Sequence, residues 1–309
     1  MRVLVTGAGG FVGGYLVPYL ASAGHEVVGS SLEPPAAGRP PVAWEVFDLT
    51  DAEAVAECVD RVRPEGVVHL AAQASVGGSW ADPRGTYRAN IEGTGNLLEA
   101  VKGLRPRVLL VGSAQQYRPV PGGRPLRESD PQLAGSPYAL TKIAQEQMGL
   151  MYLQHDGVPA VFTRSFNHTG PGQSSAYAVG SFTSQIARLE RTGGGEMHVG
   201  SLDSRRDFCD VRDVVGAYAR LLEAGEPGEA YNVCSGQSVR MGEVLGRLLE
   251  VSGLAGRVKV HERSVDAPGA PDRLVGDPSK IRAAVGWSPE IPLDRSLIDT
   301  LEWYRSLPE

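Results

Sequence analysis

The chain has 309 residues and a mass of 32.8 kDa, long enough to bury a large core and to form two lobes. Its formal net charge of −6 and isoelectric point of about 5.6 argue against nucleic acid or an anionic membrane as a partner. The cysteines and histidines show neither metal-ligand spacing nor a disulfide framework, so no metal is expected. There is no signal-peptide pattern and no apolar run of about 18 residues, which predicts a cytoplasmic protein without membrane association.

Short β-branched runs alternate with longer amphipathic stretches through the first half of the chain. The runs that predict strands buried on both faces are 3–5, 27–28, 67–72, 108–111 and 160–162. The stretches that predict helices are 11–23, 52–62, 85–101 and 138–155. This alternation predicts an α/β fold with a Rossmann-like, doubly wound parallel sheet. Pro18 is expected to kink the first helix or to break its hydrogen-bond ladder locally.

The alternation loosens after about residue 164, where glycine-rich segments at 170–172 and 193–195 interrupt it. The helices predicted beyond this point are 181–189, 211–224 and 241–252. We therefore predict a dinucleotide-binding domain over 1–164 and a smaller mixed α/β substrate lobe over 165–309. Some later segments are expected to return to the first lobe.

A glycine-rich segment, Thr-Gly-Ala-Gly-Gly-Phe-Val-Gly at 6–13, joins the first strand to the first helix. Glycines there allow a tight turn and a close backbone approach, and the opening amides of the helix can bind a pyrophosphate. The spacing is Gly-x-x-Gly-x-x-Gly, yet its place between a strand and a helix favours a dinucleotide site. The candidate cofactor contacts in this segment are Gly7, Gly10, Phe11, Val12 and Gly13.

The end of the second strand should select the cofactor. An acid there would bind the ribose hydroxyls of NAD and repel a 2′-phosphate. Here Ser30 and Ser31 precede the first acid, Glu33, so the sequence favours NADP(H), with NAD(H) as the alternative. Arg39 in the following loop is a candidate for the phosphate.

Three residues form a candidate catalytic group. Ser113 ends a predicted buried strand, and Tyr138 and Lys142 lie four residues apart on one face of a predicted helix. One ammonium at ~5 Å in an effective dielectric of ~20 stabilises a phenolate by about 3 kcal/mol, which lowers the phenol pKa by about two units. The pattern predicts a tyrosine that transfers a proton and a serine that orients the reacting oxygen.

These motifs together resemble the extended short-chain dehydrogenase/reductase family. The resemblance runs through the whole chain and is carried by Gly7/Gly10/Gly13, Asp48-Leu49-Thr50, His69-Leu-Ala-Ala72, Asn90, Ser113 and Tyr138-x-x-x-Lys142. Four further stretches, 71–80, 164–173, 206–213 and 231–236, are similar to the branch that acts on GDP-sugars. The resemblance implies a nicotinamide cofactor and a GDP-sugar substrate.

The resemblance also implies roles for single residues. Beyond the glycine-rich segment it implies cofactor contacts from Asp48, Leu49, Leu70, Ala71, Ala72, Tyr138, Lys142, Phe166 and His168. It implies substrate contacts from Ser75, Ser113, Gln115, Asn167 and Arg206, with Arg206 binding the diphosphate through charge-assisted hydrogen bonds. Asn90 would hold the active-site helix and a structural water. Simpler roles stay open: a helix cap or bridge for Asn90, a turn acid for Asp48 and a satisfied loop histidine for His168.

One position departs from the family pattern. The family usually has an arginine that grips the same diphosphate before a Pro-Gly element, and Ala267 stands at that place here. Arg240, Arg263 and Arg273 are the candidates to substitute for it.

Gln115 distinguishes two possible reactions. The resembling dehydratases carry a glutamate at this place, which removes the C5 proton, and an amide has no basic form near neutrality. A ketone reductase needs only a hydride and a proton donor. We therefore predict reduction of the C4 ketone of a GDP-4-keto-6-deoxyhexose, with Tyr138 as the proton donor. Glu128 and Asp130 are carboxylates that could take the place of the missing glutamate, which leaves the dehydratase alternative open.

Two other classes of function compete. A nucleotide-sugar dehydratase or 4-epimerase would turn over its substrate without net use of cofactor. A non-catalytic dinucleotide sensor or scaffold would tend to lose Ser113, Tyr138 or Lys142, and this chain keeps all three. The helices at 85–101 and 138–155 form the usual dimer surface of the resembling family, and their apolar residues lie on more than one face, so a homodimer is expected.

Overall fold

A seven-stranded parallel sheet forms the centre of the computed structural model, which describes residues 1–34, 42–118, 120, 123–263 and 273–308. Its strands, in spatial order, are β11 (Ala230–Val233), β6 (Ala160–Ser165), β5 (Arg107–Ser113), β4 (Gly66–His69), β1 (Arg2–Thr6), β2 (Glu26–Ser31) and β3 (Ala43–Val46). Every neighbouring pair in the sheet is parallel. The predicted α/β, Rossmann-like fold is confirmed.

Helices cover both faces of this sheet. The helices of the N-terminal half are α1 (Gly13–Ser22), α2 (Ala52–Val62), α3 (Val76–Ala81), α4 (Pro83–Tyr87), α5 (Gly93–Val101) and α6 (Pro137–Asp156). Those that follow are α7 (Ala178–Thr192), α8 (Val211–Ala224), α9 (Met241–Val251), α10 (Ser279–Val285) and α11 (Leu293–Ser306). One core cluster joins α1 and α8 to the sheet, and a second joins α2, α5 and α6 to its other face.

Three smaller sheets lie outside the central sheet among the described residues. Their strands are β7 (Asn167–Thr169) with β10 (Phe208–Asp210), β8 (Gly195–Val199) with β13 (Val258–Glu262), and β9 (Arg205–Arg206) between β12 (Val239–Arg240) and β14 (Arg273–Leu274). A third core cluster packs α7, α9 and α11 against β8. Two segments from the second half of the chain pack with the central sheet, since β11 pairs with β6 and α8 shares a core cluster with the sheet strands.

Two local predictions differ from the structure, and a third, at Pro18, agrees with it. The strand predicted at 67–72 ends at His69, which frees the following residues for a loop. The helix predicted at 85–101 contains a π-helical turn, Arg88–Glu92, between α4 and α5. Helix α1 continues through Pro18, the sixth of its ten residues, and because proline has no N–H to donate to the carbonyl of Gly14, the hydrogen-bond ladder is interrupted there as expected.

The order of the sheet strands locates a binding edge. Strand β1 pairs with β2 on one side and with β4 on the other, so the direction of chain winding reverses at β1. In open α/β sheets, ligands bind at such a switch point beyond the carboxyl ends of the strands. No described helix is long and apolar enough to cross a membrane, and the described residues contain no group of three or more possible metal ligands.

Candidate active site

The glycine-rich turn after β1 forms a cradle that side chains would fill. Gly7 has a φ of 69°, and a Cβ atom there would lie 2.7 Å from the backbone of Ala71. A Cβ atom on Gly13 would lie 2.5 Å from the carbonyl oxygen of Ala8. The backbone can therefore approach a ligand closely at the start of α1, where the helix N-terminus favours an anion. These residues fit the pyrophosphate of a dinucleotide.

The ends of β2 and β3 flank this cradle. Ser30 is buried and its carbonyl accepts a hydrogen bond from Ala8, while the Ser31 hydroxyl donates to the carbonyl of Glu33. Asp48 is exposed, and its Oδ1 accepts from the amide of Thr50 at 2.8 Å, as a turn acid does. The predicted phosphate contact, Arg39, lies outside the described residues.

The loop after β4 closes the cradle from the other side. The amides of Leu70 and Ala71 donate to the carbonyl and hydroxyl of Thr6. Leu49 packs against Gly93, the first residue of α5. Ala72 precedes Gln73, whose side-chain Oε1 is buried and has no hydrogen-bond partner within the described part of the chain. This loop therefore brings its backbone against the glycine-rich turn, where Ala71 lies next to Gly7.

His69 is a buried structural histidine beneath this loop. Its Nδ1 lies 2.7 Å from the Thr6 hydroxyl and its Nε2 lies 3.0 Å from the Thr94 hydroxyl. Because Thr94 donates its own proton to the carbonyl of Asn90, it can only accept from Nε2, so Nδ1 accepts from Thr6. Burial lowers the pKa of His69 to about 3, and Lys142 acts in the same direction. The imidazole is therefore neutral.

Helix α6 carries the candidate tyrosine and lysine. Ser136 caps its start by accepting from the amide of Ala139, Pro137 occupies its first position, and Gly157 ends it in the left-handed region. Asn90, in the π-helical turn, donates to the Thr141 hydroxyl at 2.9 Å and is also bonded in both directions to the backbone of Gln73. Asn90 thus ties α6 to the loop after β4.

Ser113, Tyr138 and Lys142 are brought together at the carboxyl end of β5. All three side chains are buried. The Lys142 ammonium lies 6.0 Å from the centre of the Tyr138 ring. Burial raises the pKa of Tyr138 to about 12, and its hydrogen bond with Ser113 acts in the opposite direction. The expected lowering of the Tyr138 pKa is therefore wrong, because desolvation of the phenolate by burial dominates.

The pKa of Lys142 shifts in the direction opposite to that of Tyr138. Burial lowers its pKa to about 7. Its Nζ donates to the carbonyl of Val111 at 2.8 Å and to the Oε1 of Gln145 at 2.9 Å. A buried ammonium with neutral acceptors is less stable than the same group in water, so the lysine releases its proton more readily.

The backbone of Ser113 is hydrogen-bonded to a buried network of polar side chains. Gln116 accepts from the Ser113 amide at 2.7 Å and donates to Glu146 at 3.0 Å. Arg164 binds both carboxylate oxygens of Glu146, at 2.7 Å and 3.0 Å, and lies over the ring of Tyr117. Sequence analysis did not single out these residues. The available signal was a glutamate within the predicted amphipathic helix at 138–155 and an arginine two residues beyond the predicted buried strand at 160–162.

Aromatic side chains from both halves of the chain meet beside the cradle. Phe11, at the start of α1, stacks on His168 of β7 with ring centres 6.2 Å apart and planes 12° apart. Burial lowers the pKa of His168, which keeps its imidazole neutral near pH 7. Phe166 is buried beside Tyr117, and Asn167 is half-buried in β7 opposite Phe208. Ser75, at the start of α3, accepts from the amide of Gly78.

The predicted arginines do not share one face of their small sheet. Arg206 lies in register with Val239 and Leu274, which are both buried. Arg240 and Arg273 lie in register with Arg205 and are exposed. Because neighbouring positions along a strand point to opposite faces, Arg206 is separated from the other two. Arg240 is also paired with Asp203, and Ala267 lies outside the described residues.

Comparison with known proteins identifies the family. A family model described as GDP-mannose 4,6 dehydratase matches residues 4–300. The chain belongs to this family. It is 34% identical over 300 residues to the GDP-6-deoxy-D-mannose reductase of Pseudomonas aeruginosa, an alignment that covers 96% of this chain and 94% of that protein.

Solved structures agree with the family assignment. The structure of RMD from Pseudomonas aeruginosa complexed with NADPH matches with a TM-score of 0.84 and 32% identity, over 99% of both chains. The UDP-glucose 4-epimerase of Thermus thermophilus, in complex with NAD, matches with a TM-score of 0.89 and 32% identity, again over 99% of both chains. The predicted membership of the extended short-chain dehydrogenase/reductase family is confirmed.

Proposed function

We propose that this protein reduces the C4 ketone of a GDP-4-keto-6-deoxyhexose, converting GDP-4-keto-6-deoxy-D-mannose to GDP-D-rhamnose. The similarity to a GDP-6-deoxy-D-mannose reductase over almost the whole chain supports this substrate class. The family model and the relatives with bound NADPH or NAD support a nicotinamide-dependent enzyme. The serines at the end of β2 favour NADPH over NADH, and one relative of known structure is complexed with NADPH.

Tyr138, Ser113 and Lys142 each have a separate role in the proposed ketone reduction. A bound reduced nicotinamide supplies the hydride. Tyr138 donates its phenolic proton to the C4 oxygen as negative charge develops there, and Ser113 holds that oxygen by a hydrogen bond. Lys142 donates to the nicotinamide ribose and stabilises the phenolate left by proton transfer. The raised pKa of Tyr138 suits this direction, because the phenol starts protonated at every physiological pH.

The glutamine at position 115 is the feature that favours a reductase over a dehydratase. It lies two residues after Ser113, is half-buried, and donates its backbone amide to the Ser113 hydroxyl. The two nearby acids that could replace a glutamate base are already engaged. Glu128 accepts from the amide of Asn232 at 2.7 Å, and both oxygens of Asp130 bind Arg124.

The positions of four polar side chains support a set of substrate contacts. We propose that Arg206 binds the diphosphate from the inner face of its sheet, while Ser75, Gln115 and Asn167 contact the sugar. Arg240 and Arg273 lie on the outer face of the same sheet, opposite to Arg206. We also propose a homodimer through α4, α5 and α6.

Turnover with a defined ketone tests the proposal. Purified protein with GDP-4-keto-6-deoxy-D-mannose is expected to oxidise NADPH, followed by loss of absorbance from the reduced nicotinamide. Tyr138→Phe should lower kcat by about 10²- to 10⁴-fold, because the proton donor is lost. Tyr152→Phe is the matched control, since Tyr152 lies on the same helix and its hydroxyl donates to the exposed Glu99.

The alternatives give different outcomes in the same assay. A dehydratase or 4-epimerase would convert GDP-mannose or UDP-glucose without net oxidation of NADPH, detected by separating the sugar nucleotides. A sensor or scaffold would bind NADPH and convert none of them. Absence of NADPH oxidation with the ketone, under conditions where NADPH binds, would overturn the reductase assignment.

A further inference from the structure

The side chain of Gln145 contacts the lysine of the candidate catalytic group rather than solvent. It lies three residues after Lys142 on α6 and is 1% exposed. Its Oε1 accepts from the Lys142 ammonium at 2.9 Å, and its Nε2 donates to the carbonyl of Val111 at 3.2 Å. That same carbonyl accepts from Lys142 at 2.8 Å. Lysine, amide and carbonyl therefore form a closed triangle between α6 and β5.

Among the described residues, no anion balances the ammonium in this triangle. The groups that face Lys142 from the packed elements are His69 of β4, Tyr138 and Glu146 of α6, and Arg164 of β6 through its bond to Glu146. His69 and Tyr138 are neutral near pH 7. The Glu146 carboxylate is bound at both oxygens by Arg164 and also accepts from Gln116 and Gln132. The charge of Lys142 is therefore stabilised by neutral acceptors.

We propose that Gln145 is a positioning residue, whose amide keeps the Lys142 ammonium protonated and fixed at Val111 so that its third N–H is left for the nicotinamide ribose. An amide suits this role because it accepts a hydrogen bond without adding charge. A carboxylate at the same place would also repel the phenolate that forms on Tyr138. The inference rests on the proposed function for its catalytic consequence, although the contact itself does not.

The protonation of Lys142 can be measured without substrate or cofactor. The chain has four lysines, so ε-¹³C-lysine labelling gives four NMR signals, and Lys142→Met assigns the one of interest. Lys102, Lys259 and Lys280 each lie beside a glutamate. We expect the Lys142 signal to titrate at the lowest pH. Gln145→Met should weaken its proton affinity at least tenfold, and Gln145→Glu should strengthen it.

A matched control is present on the same helix. Gln147 is exposed two residues further along α6, so Gln147→Met makes the same chemical change away from the lysine. Its titration should equal that of the parent protein. If Gln145→Met also leaves the Lys142 titration unchanged while the protein unfolds at the parent temperature, the proposal is wrong.

The catalytic consequence is tested in the ketone assay. Gln145→Met should lower kcat at least tenfold at pH 8 and less at pH 6, with little change in KM for the sugar, because the lost group acts through the lysine. The alkaline limb of its pH profile should move to lower pH, and Gln145→Glu should move it back. An active parent with an unchanged profile in Gln145→Met rejects the positioning role. An inactive parent rejects the proposed function and leaves the NMR titration to decide the contact.

Discussion

At the scale of single residues, burial moves the two titrating groups of the site in opposite directions. Tyr138 holds its proton up to a pKa of about 12, and Lys142 loses its proton at a pKa of about 7. The tyrosine is therefore ready as an acid throughout the physiological range. The lysine sets the alkaline limit of the site, because above its pKa it no longer supports a developing phenolate.

The buried ammonium should make stability depend on pH in a defined direction. The native pKa of Lys142, about 7, lies below the unfolded value of about 10.4, so its burial costs most below pH 7 and less as the pH rises toward 10. Lys142→Met should therefore stabilise the protein more at pH 6 than at pH 9, by a difference of about 2 to 3 kcal/mol.

Unfolding temperatures of the variant and the parent at the two pH values measure this difference. Lys259→Met, on an exposed strand position, serves as the control. A gain from Lys142→Met that stays constant between pH 6 and pH 9 would show that the ammonium is not desolvated.

The proximity of Tyr138 and Lys142 was predictable because helix periodicity places them on one face. Their pKa values were not, because Coulomb's law for one pair omits the desolvation that the finished fold imposes. Gln145 and Gln116 were missed for a related reason. A glutamine in an amphipathic helix or a short turn resembles a surface residue until the sheet that covers it is known.

At the scale of elements, α6 approaches the sheet closely at one glycine. A Cβ atom on Gly149 would lie 2.4 Å from the Phe162 ring and 2.6 Å from Leu110. The side chain of any other residue would push the helix away from β5 and β6. Because α6 also carries Tyr138 and Lys142, this contact determines how close these two residues lie to the central sheet.

Gly149→Ala should therefore destabilise the protein by about 1 to 3 kcal/mol through overpacking. It should also lower kcat, because Tyr138 moves with the helix. Gly246→Ala is the control, since Gly246 lies inside α9 with no described atom near its Cβ position. That change should stabilise the protein by about 0.5 to 1 kcal/mol. Urea denaturation of both variants measures the two effects, and a stabilised Gly149→Ala would contradict the packing argument.

Most helices and strands of the first half of the chain were predictable from the sequence, because buried strands and amphipathic helices differ in their hydrophobic periodicity. The π-helical turn at Arg88–Glu92 did not, because it accompanies tertiary contacts. Asn90 within it reaches Gln73 and Thr141, and Gly93 just after it packs against Leu49. Strand β11 was missed as a member of the central sheet because it joins the sheet from the other half of the chain.

At the scale of the whole molecule, α6 leaves apolar side chains exposed on the surface proposed for dimerisation. Met151 is 59% exposed and Leu140 is 44% exposed. The protein should therefore have twice its chain mass of 32.8 kDa in solution. Met151→Asp should produce a folded monomer, because a buried unpaired carboxylate would oppose association.

Light scattering after size-exclusion chromatography measures both masses. Val251→Asp, at the end of α9 and 48% exposed, places the same charge on another surface and should leave the dimer intact. A monomeric parent protein, or a dimer that survives Met151→Asp, would place the exposed residues of α6 outside the interface.

The pairing of β11 with β6 has a consequence for synthesis. On the ribosome, β1 to β6 are complete while the strand that covers the outer edge of β6 has not yet been translated. The nascent chain therefore presents the free backbone edge of a strand that is fully buried in the finished protein, the kind of edge that pairs with other chains. We expect a fragment that stops at residue 165 to aggregate or to occupy chaperones rather than to accumulate as a free nucleotide-binding module.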